Sequence, residues 1–119
     1  MAGHRRVNWL ELLFQFLVLH AFLDFMLQPN IMASAKSRHS DYHKNGNTDF
    51  PAWYYWMTAH SLGHGGAVYL VMGSVWLGLL ETVLHGAIDF SKCEHKTTLA
   101  QDQFLHVLCK VGYVVYLVV

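Results

Sequence analysis

The chain has 119 residues, which suits one domain; 54% of them are hydrophobic and only 13% are charged. Charged residues make up roughly 25% of soluble proteins, so this composition is typical of a membrane protein. Lys and Arg balance Asp and Glu at eight each, and zero net charge argues against nucleic acid as a partner. Two isolated cysteines argue against a disulfide scaffold and fit a reducing compartment.

Four apolar segments are candidates to cross a bilayer, at 1.5 Å of rise per residue. The second and third are short, at roughly 16–20 residues, and need a thinner bilayer, a slant or a re-entrant hairpin. The first carries His20 and Asp24 and ends before Pro29, which favours a retained helix over a cleaved signal peptide. A short interfacial helix is expected between Asn30 and Ser40, and a tight turn at Gly73–Ser74. We therefore predict an all-α membrane protein, a four-transmembrane-helix bundle with one short interfacial helix in its first loop. The expected spans are 7–27, 53–72, 75–90 and 99–119.

Each span contains two metal-ligand-type side chains four residues apart, a spacing that places both on one face of a helix. Such side chains are costly in hydrocarbon and are therefore functional suspects. If neighbouring spans are antiparallel, all four pairs lie roughly 8–10 Å in from the same membrane face. The pairs are His20 with Asp24, His60 with His64, His85 with Asp89, and Asp102 with His106.

These eight side chains predict a bound divalent transition metal. Three or four ligands serve one zinc ion, so eight suffice for two ions, or for one ion with carboxylates that orient its histidines. Imidazole and carboxylate ligands suit zinc, which we expect first, and also iron or manganese. The alternative is a buried polar network that only holds the helices together.

Other polar and small residues have simpler expected roles. Glu81 and Lys110 have similar depths and are expected to form an ion pair. Residues 39–43 of the first loop, with two histidines and an aspartate, are expected to be solvated. Five glycines are expected to be close-packing positions between helices, namely Gly63, Gly65, Gly66, Gly78 and Gly86.

Basic residues predict the orientation. Lys36, Arg38 and Lys44, with Lys92 and Lys96, lie in loops on one side, whereas Arg5 and Arg6 lie on the other. The excess of positive charge places the loop 28–52 in the cytoplasm and both termini outside. The site would then lie near the cytoplasmic face of a bacterial inner membrane.

Three segments resemble a known family: HAFLDFMLQPNIMASAK, ETVLHGAIDFSK and LAQDQFLHVL. They are similar to the domain-of-unknown-function 3307 family of small membrane proteins from bacteria and phages, over nearly the whole chain except loop 39–50. The resemblance implies a membrane fold and supports the polar positions, but it implies no reaction. Its motif positions here are His20, Asp24, Phe25, Gln28, Lys36, His85, Asp89, Phe90, Asp102, Gln103 and His106.

The leading functional hypothesis is a membrane-embedded, metal-dependent hydrolase acting on a lipid or lipid-linked substrate. Asp24 or Asp102 would be the general base, and Gln28, Lys36 and Gln103 would bind a polar headgroup. The alternative is a non-catalytic four-helix membrane protein, a phage or bacterial regulator or exclusion factor with a structural metal or polar core. A homo-oligomer is possible in either case. An ion conduit is disfavoured because the polar residues cluster in one half of the membrane.

Overall fold

The computed structural model describes residues 8–44 and 49–119, and every regular element in these ranges is helical. Val7, where the first predicted span begins, and the two arginines used for the orientation, Arg5 and Arg6, lie outside these ranges. The elements in chain order are α1 (Trp9–Ala21), a π-helical turn (Phe22–Met26), α2 (Asn30–Ala35), a 3-10 turn (Asp41–His43), α3 (Trp53–Met72), α4 (Val75–Cys93) and α5 (Leu99–Val118).

Side-chain caps fix the start of three long helices. The Oδ1 atom of Asn8 accepts from Leu10 N at 3.0 Å, and Ser74 accepts from Leu77 N at 3.3 Å. Thr98 and Gln101 form a reciprocal capping box at the start of α5. These short polar contacts satisfy backbone N–H groups that have no partner within the helix.

The first helix departs from its predicted uniform α geometry near its end. Leu27 N donates to Phe22 O at 2.7 Å, five residues back, so the last turn is wider than an α-turn. This wide turn contains Asp24 and buries it. Pro29 follows, and the predicted short helix then forms as α2.

Helices α3 and α4 form a close hairpin through the predicted turn. Gly73 has a φ of 69°, a left-handed conformation that glycine adopts without steric cost. A Cβ atom on Gly65 would lie 2.6 Å from the carbonyl oxygen of Gly78, so the two backbones nearly touch. Gly86 also packs closely, since its Cβ would lie 3.2 Å from Ser61 Oγ. The close-packing prediction is wrong for Gly63 and Gly66, where an added Cβ would meet nothing within 4 Å.

The bundle buries polar residues and exposes apolar ones. Helices α1, α3, α4 and α5 pack around a polar centre, and a small apolar core lies beside it. That core is Phe16, Val68, Tyr113 and Val114. On α4 every exposed residue is apolar, namely Val75, Trp76, Leu79, Leu80, Val83 and Ala87.

One helical stretch among the described residues is long and apolar enough to cross a membrane, Trp9–Met26, with a mean hydropathy of 1.5. Core helices of soluble proteins and signal sequences meet the same criterion. The all-helical part of the prediction is therefore confirmed, while the four-span membrane bundle stays a proposal.

The glycine contacts predict a contrast between two alanine substitutions on one helix. Gly65→Ala should lower the free energy of unfolding by about 1–3 kcal/mol, because the new methyl overlaps with the Thr82 hydroxyl and the Gly78 carbonyl. Gly63→Ala is the matched control, and it should be neutral or gain up to about 1 kcal/mol from helix propensity. Thermal unfolding in detergent measures both. Equal effects would contradict the close approach of α3 and α4.

Candidate metal centre

The structure brings the four predicted pairs into one cluster at the centre of the bundle. All eight side chains are buried, and the most exposed of them, Asp24, is only 8% accessible. The pairs come from α1 with its π-turn, α3, α4 and α5. The helical spacing read from the sequence therefore corresponds to a single polar centre in three dimensions.

Asp24 lies at the middle of this cluster. Its Oδ1 atom is 2.8 Å from His64 Nε2, 3.2 Å from His60 Nε2 and 3.9 Å from His85 Nε2. One ligand-type atom from each of these four residues lies within 4.8 Å of all the others. We call Asp24, His60, His64 and His85 the first ligand set.

The four atoms of the first ligand set are close together without forming well-directed hydrogen bonds. Asp24 Oδ1 and the Nε2 atoms of all three histidines are buried and have no hydrogen-bond partner among the residues that the structure describes. Buried polar atoms are nearly always paired, so an unpaired group of this kind needs an explanation. Two ligands bound tetrahedrally at about 2.0–2.1 Å would lie about 3.3 Å apart, which is close to the separations around Asp24. The geometry fits atoms that share an ion.

Three of the histidine rings form a stack across three helices. The ring centroids of His64 and His85 are 3.7 Å apart, and those of His85 and His106 are 4.1 Å apart. The stack therefore brings imidazole rings from α3, α4 and α5 into direct contact at the centre of the bundle. The neutral ring is the form that binds metals.

His20, in contrast, is occupied by a hydrogen bond. Its Nε2 atom lies 2.8 Å from Gln103 Oε1, and because an amide oxygen only accepts, the histidine must donate. The Nε2 atom then has no free lone pair for a metal. His20 lies beside Asp24 but outside the groups of ligand atoms that converge.

Gln103, predicted to bind substrate, connects two carboxylates. Its Nε2 atom donates to Asp24 Oδ2 at 3.0 Å and to Asp102 Oδ2 at 3.2 Å. One amide group therefore holds both carboxylates in place and leaves their Oδ1 atoms unpaired. In this structure Gln103 acts as an organising group within the cluster.

Lys36 and Gln28, also predicted to bind substrate, close the end of the cluster. The Lys36 side chain is 2% exposed, and its ammonium group donates to Asp89 Oδ2 at 2.6 Å and to Gln28 Oε1 at 2.8 Å. Gln28 in turn donates to the backbone oxygen of Asp24 at 2.9 Å. Both side chains are bound within the protein, and their role toward a substrate stays a prediction.

The expected ion pair between Glu81 and Lys110 is confirmed. Lys110 Nζ donates to Glu81 Oε1, and the Tyr113 hydroxyl donates to Glu81 Oε2 at 2.7 Å. Tyr113 was missed from the sequence, although it follows His106 and Lys110 at helical spacing on the same face. Glu81 Oε1 also lies 3.7 Å from His85 Nδ1, so this pair lies directly behind the first ligand set.

The first loop is tied to the end of α4, which the sequence did not predict. Arg38 binds Glu94 through two nitrogen atoms, and His39 Nε2 lies 2.7 Å from Glu94 Oε2. The hydrogen bond from Arg38 holds the pKa of Glu94 below its usual value. The stabilisation from this contact is therefore complete above the carboxyl pKa of the unfolded chain and is lost as pH falls through the lowered pKa. Asp41 is exposed as expected, whereas His43 bonds to Ala35 O at 2.7 Å.

Comparisons with protein-family models, curated proteins and solved structures gave no match for this chain. The resemblance to the domain-of-unknown-function 3307 family therefore stays a prediction.

The Glu81–Lys110 pair predicts strong coupling between two substitutions. Lys110→Met should lower the free energy of unfolding by about 3–5 kcal/mol, because it leaves the Glu81 carboxylate buried without its cation. The double variant Glu81→Gln/Lys110→Met should be more stable than Lys110→Met alone, since no buried charge is then left uncompensated. Denaturation of Lys110→Met, Glu81→Gln and the double variant measures this coupling. Additive losses would contradict a direct ion pair.

Proposed function

We propose that this chain is a membrane-embedded metal-binding protein that acts as a metal-dependent hydrolase on a lipid or lipid-linked substrate. The observation that carries the proposal is the first ligand set. Four buried ligand-type atoms from three different helical segments lie together around Asp24 Oδ1 and lack hydrogen-bond partners. Leaving that many polar atoms unsatisfied costs about 1–3 kcal/mol for each atom, and a bound cation removes the cost.

Charge in the cluster supports a divalent cation. Among the four buried carboxylates, Asp89 is paired with Lys36 and Glu81 with Lys110. Among the described residues no ammonium group lies within 4.0 Å of the Asp24 carboxylate, and the nearest one to Asp102 is the partly exposed Lys92 at 4.0 Å. One divalent ion would balance the two negative charges that remain.

The ligand types narrow the choice of metal. The first ligand set offers imidazole nitrogen and carboxylate oxygen, and neither Cys93 nor Cys109 belongs to any of the convergent groups. Three histidines and a carboxylate suit zinc first, and also iron or manganese.

Asp102 is the carboxylate best placed to accept a proton beside this ion. Asp24 belongs to the first ligand set, whereas the unpaired Oδ1 of Asp102 is 3.4 Å from His106 Nε2. A bound ion supplies a Lewis acid that makes water a stronger nucleophile at neutral pH. As water adds to an ester, amide or phosphoester, its proton would pass to Asp102, and the leaving alcohol or amine would take up a proton.

The surface of the bundle supports a membrane location for the site. Large apolar side chains are exposed on every long helix, such as Phe14, Leu70, Val83 and Tyr116. Such surface suits contact with lipid or with a second copy of the chain. A site at headgroup depth near the cytoplasmic leaflet would meet lipid or lipid-linked substrates.

A non-catalytic membrane protein with a structural metal is the second candidate. The observation that favours it is the closure of the cluster by Lys36 and Gln28, with His85 and His106 fully buried. Such a protein would hold its metal without turning over a substrate. Hydrolysis of a lipid by the purified metal-loaded protein would exclude this candidate.

Metal content tests the first ligand set. Elemental analysis of wild type, purified in detergent without chelator or phosphate, should give about one equivalent of a transition metal, since three or four ligands serve one ion. His64→Ala should lose most of it. Added metal should also raise the unfolding temperature of wild type but not of His64→Ala.

The control for the metal experiment is His39→Ala, which removes a half-exposed histidine outside the cluster and should keep its metal. Less than about a tenth of an equivalent in wild type would refute the metal site, because three or four ligands are expected to hold about one ion. The polar-network alternative would then remain.

The proposed orientation makes a separate prediction. Asp41 is the better labelling position in the first loop, because Ser40 is buried and lies 2.9 Å from Ser34 Oγ. In a variant with Cys93 and Cys109 replaced by alanine, Asp41→Cys should react with an impermeant maleimide in inverted vesicles but not in intact cells. A reporter fused after Val119 should be extracytoplasmic. The reverse pattern would move the site to the outer leaflet.

A further inference from the structure

A second convergent group shares Asp24 with the first ligand set. Ligand-type atoms of Asp24, Asp102 and His106 lie within 4.8 Å of one another. Asp102 and His106 are fully buried, and Asp102 Oδ1 and His106 Nε2 have no hydrogen-bond partner. Asp89 Oδ1 lies 3.7 Å from the same histidine nitrogen and adds a carboxylate on that side.

Gln103 arranges the two carboxylates as a pair. It binds the Oδ2 atoms of both Asp24 and Asp102 through one nitrogen, so the carboxylates lie side by side. Both Oδ1 atoms lack a hydrogen-bond partner among the described residues. The Oδ1 atom of Asp24 lies beside His64, and that of Asp102 lies beside His106. A shared carboxylate between two histidine groups is an arrangement that two metal ions about 3.5–4 Å apart can occupy.

We infer that the cluster binds two divalent cations that share Asp24, the second held by Asp102 and His106, and that an anionic phosphate group completes the second site. This inference rests on the proposed metal centre and changes one role within it. Asp102 becomes a ligand of the second ion, and the proton that the attacking water gives up would pass to the leaving alcohol of the substrate instead of to Asp102.

The anion follows from charge. Two divalent cations bring four positive charges, against two carboxylates, Asp24 and Asp102, that have no buried ammonium partner in the described part of the chain. The excess is costly in a buried site unless an anion enters with the second ion. A phosphate group carries the required charge and has oxygens that can contact both ions. A phosphoester is therefore the substrate class that this site favours among the esters and amides considered above.

The experiment measures Mn²⁺ bound per chain, with and without inorganic phosphate as the probe. Wild type should bind about one equivalent alone and about two with phosphate. Asp102→Asn, a variant of nearly the same shape, should stay at one equivalent in both conditions. In wild type with phosphate, the electron paramagnetic resonance spectrum should show exchange coupling between neighbouring Mn²⁺ ions, and Asp102→Asn should lose it.

Two further variants serve as a control and as a second test of the same site. Asp41→Asn, the same substitution at an exposed carboxylate outside the cluster, is the matched control and should behave as wild type. His106→Ala should bind the same amount of Mn²⁺ as Asp102→Asn in both conditions. Agreement between the two variants would show that the loss does not come from a defect specific to one substitution. Vesicles with and without phospholipid, in place of free phosphate, show whether a lipid headgroup can supply the anion.

Several results would overturn the inference. One equivalent in wild type with phosphate would refute the second ion and leave the first intact. Two equivalents in Asp102→Asn would refute its ligands, and two in wild type without phosphate would refute the anion. No bound metal in any condition would instead refute the metal centre on which the inference rests.

Discussion

The cost of burying the Asp24 carboxylate is the constraint on which the rest of the structure depends. Taking a carboxylate out of water costs several kcal/mol, and within residues 8–44 and 49–119 the ion-pair partners of Asp24 are histidines, with no ammonium group among them. Three histidines and Gln103 surround it instead. Each comes from a different turn of α3, α4 or α5, so the helices must pack at one register to bring them together. The wide π-turn places Asp24 inside the bundle, and the close contact of Gly65 with Gly78 holds α3 against α4 at that register.

The helical repeat explains how much of this centre could be predicted. Residues four apart share a face whatever the tertiary structure, so the pairs His60 with His64 and His85 with Asp89 were visible in the sequence. Counting depth along antiparallel helices then predicted that the pairs meet and that Glu81 reaches Lys110. Both inferences use only the rise per residue and the direction of the chain, which a helical bundle fixes closely.

The remaining contacts depend on packing that no local pattern encodes. Gln103 looked like a headgroup-binding residue, but a neighbouring helix supplies His20 and Asp24 for it to bind. Lys36 is drawn into the bundle by Asp89, fifty-three positions away along the chain. Gly63 and Gly66 have the same local sequence character as Gly65, yet only Gly65 faces α4. Sequence spacing gives the face of a helix, whereas the partner on that face is a tertiary property.

The same polar residues also explain why hydropathy alone is a weak guide to the proposed membrane location. On α4 the buried face carries Glu81, His85 and Asp89, which lower the mean hydropathy of the whole helix, while its exposed face is entirely apolar. A lipid environment contacts only the outer face of the helix. A mean hydropathy over all residues of a segment includes the buried polar face, so it understates how apolar the outer face is. A helix whose buried side binds an ion must lose hydropathy as it gains ligands. For this chain the apolar outer surface is therefore the stronger support for the membrane proposal.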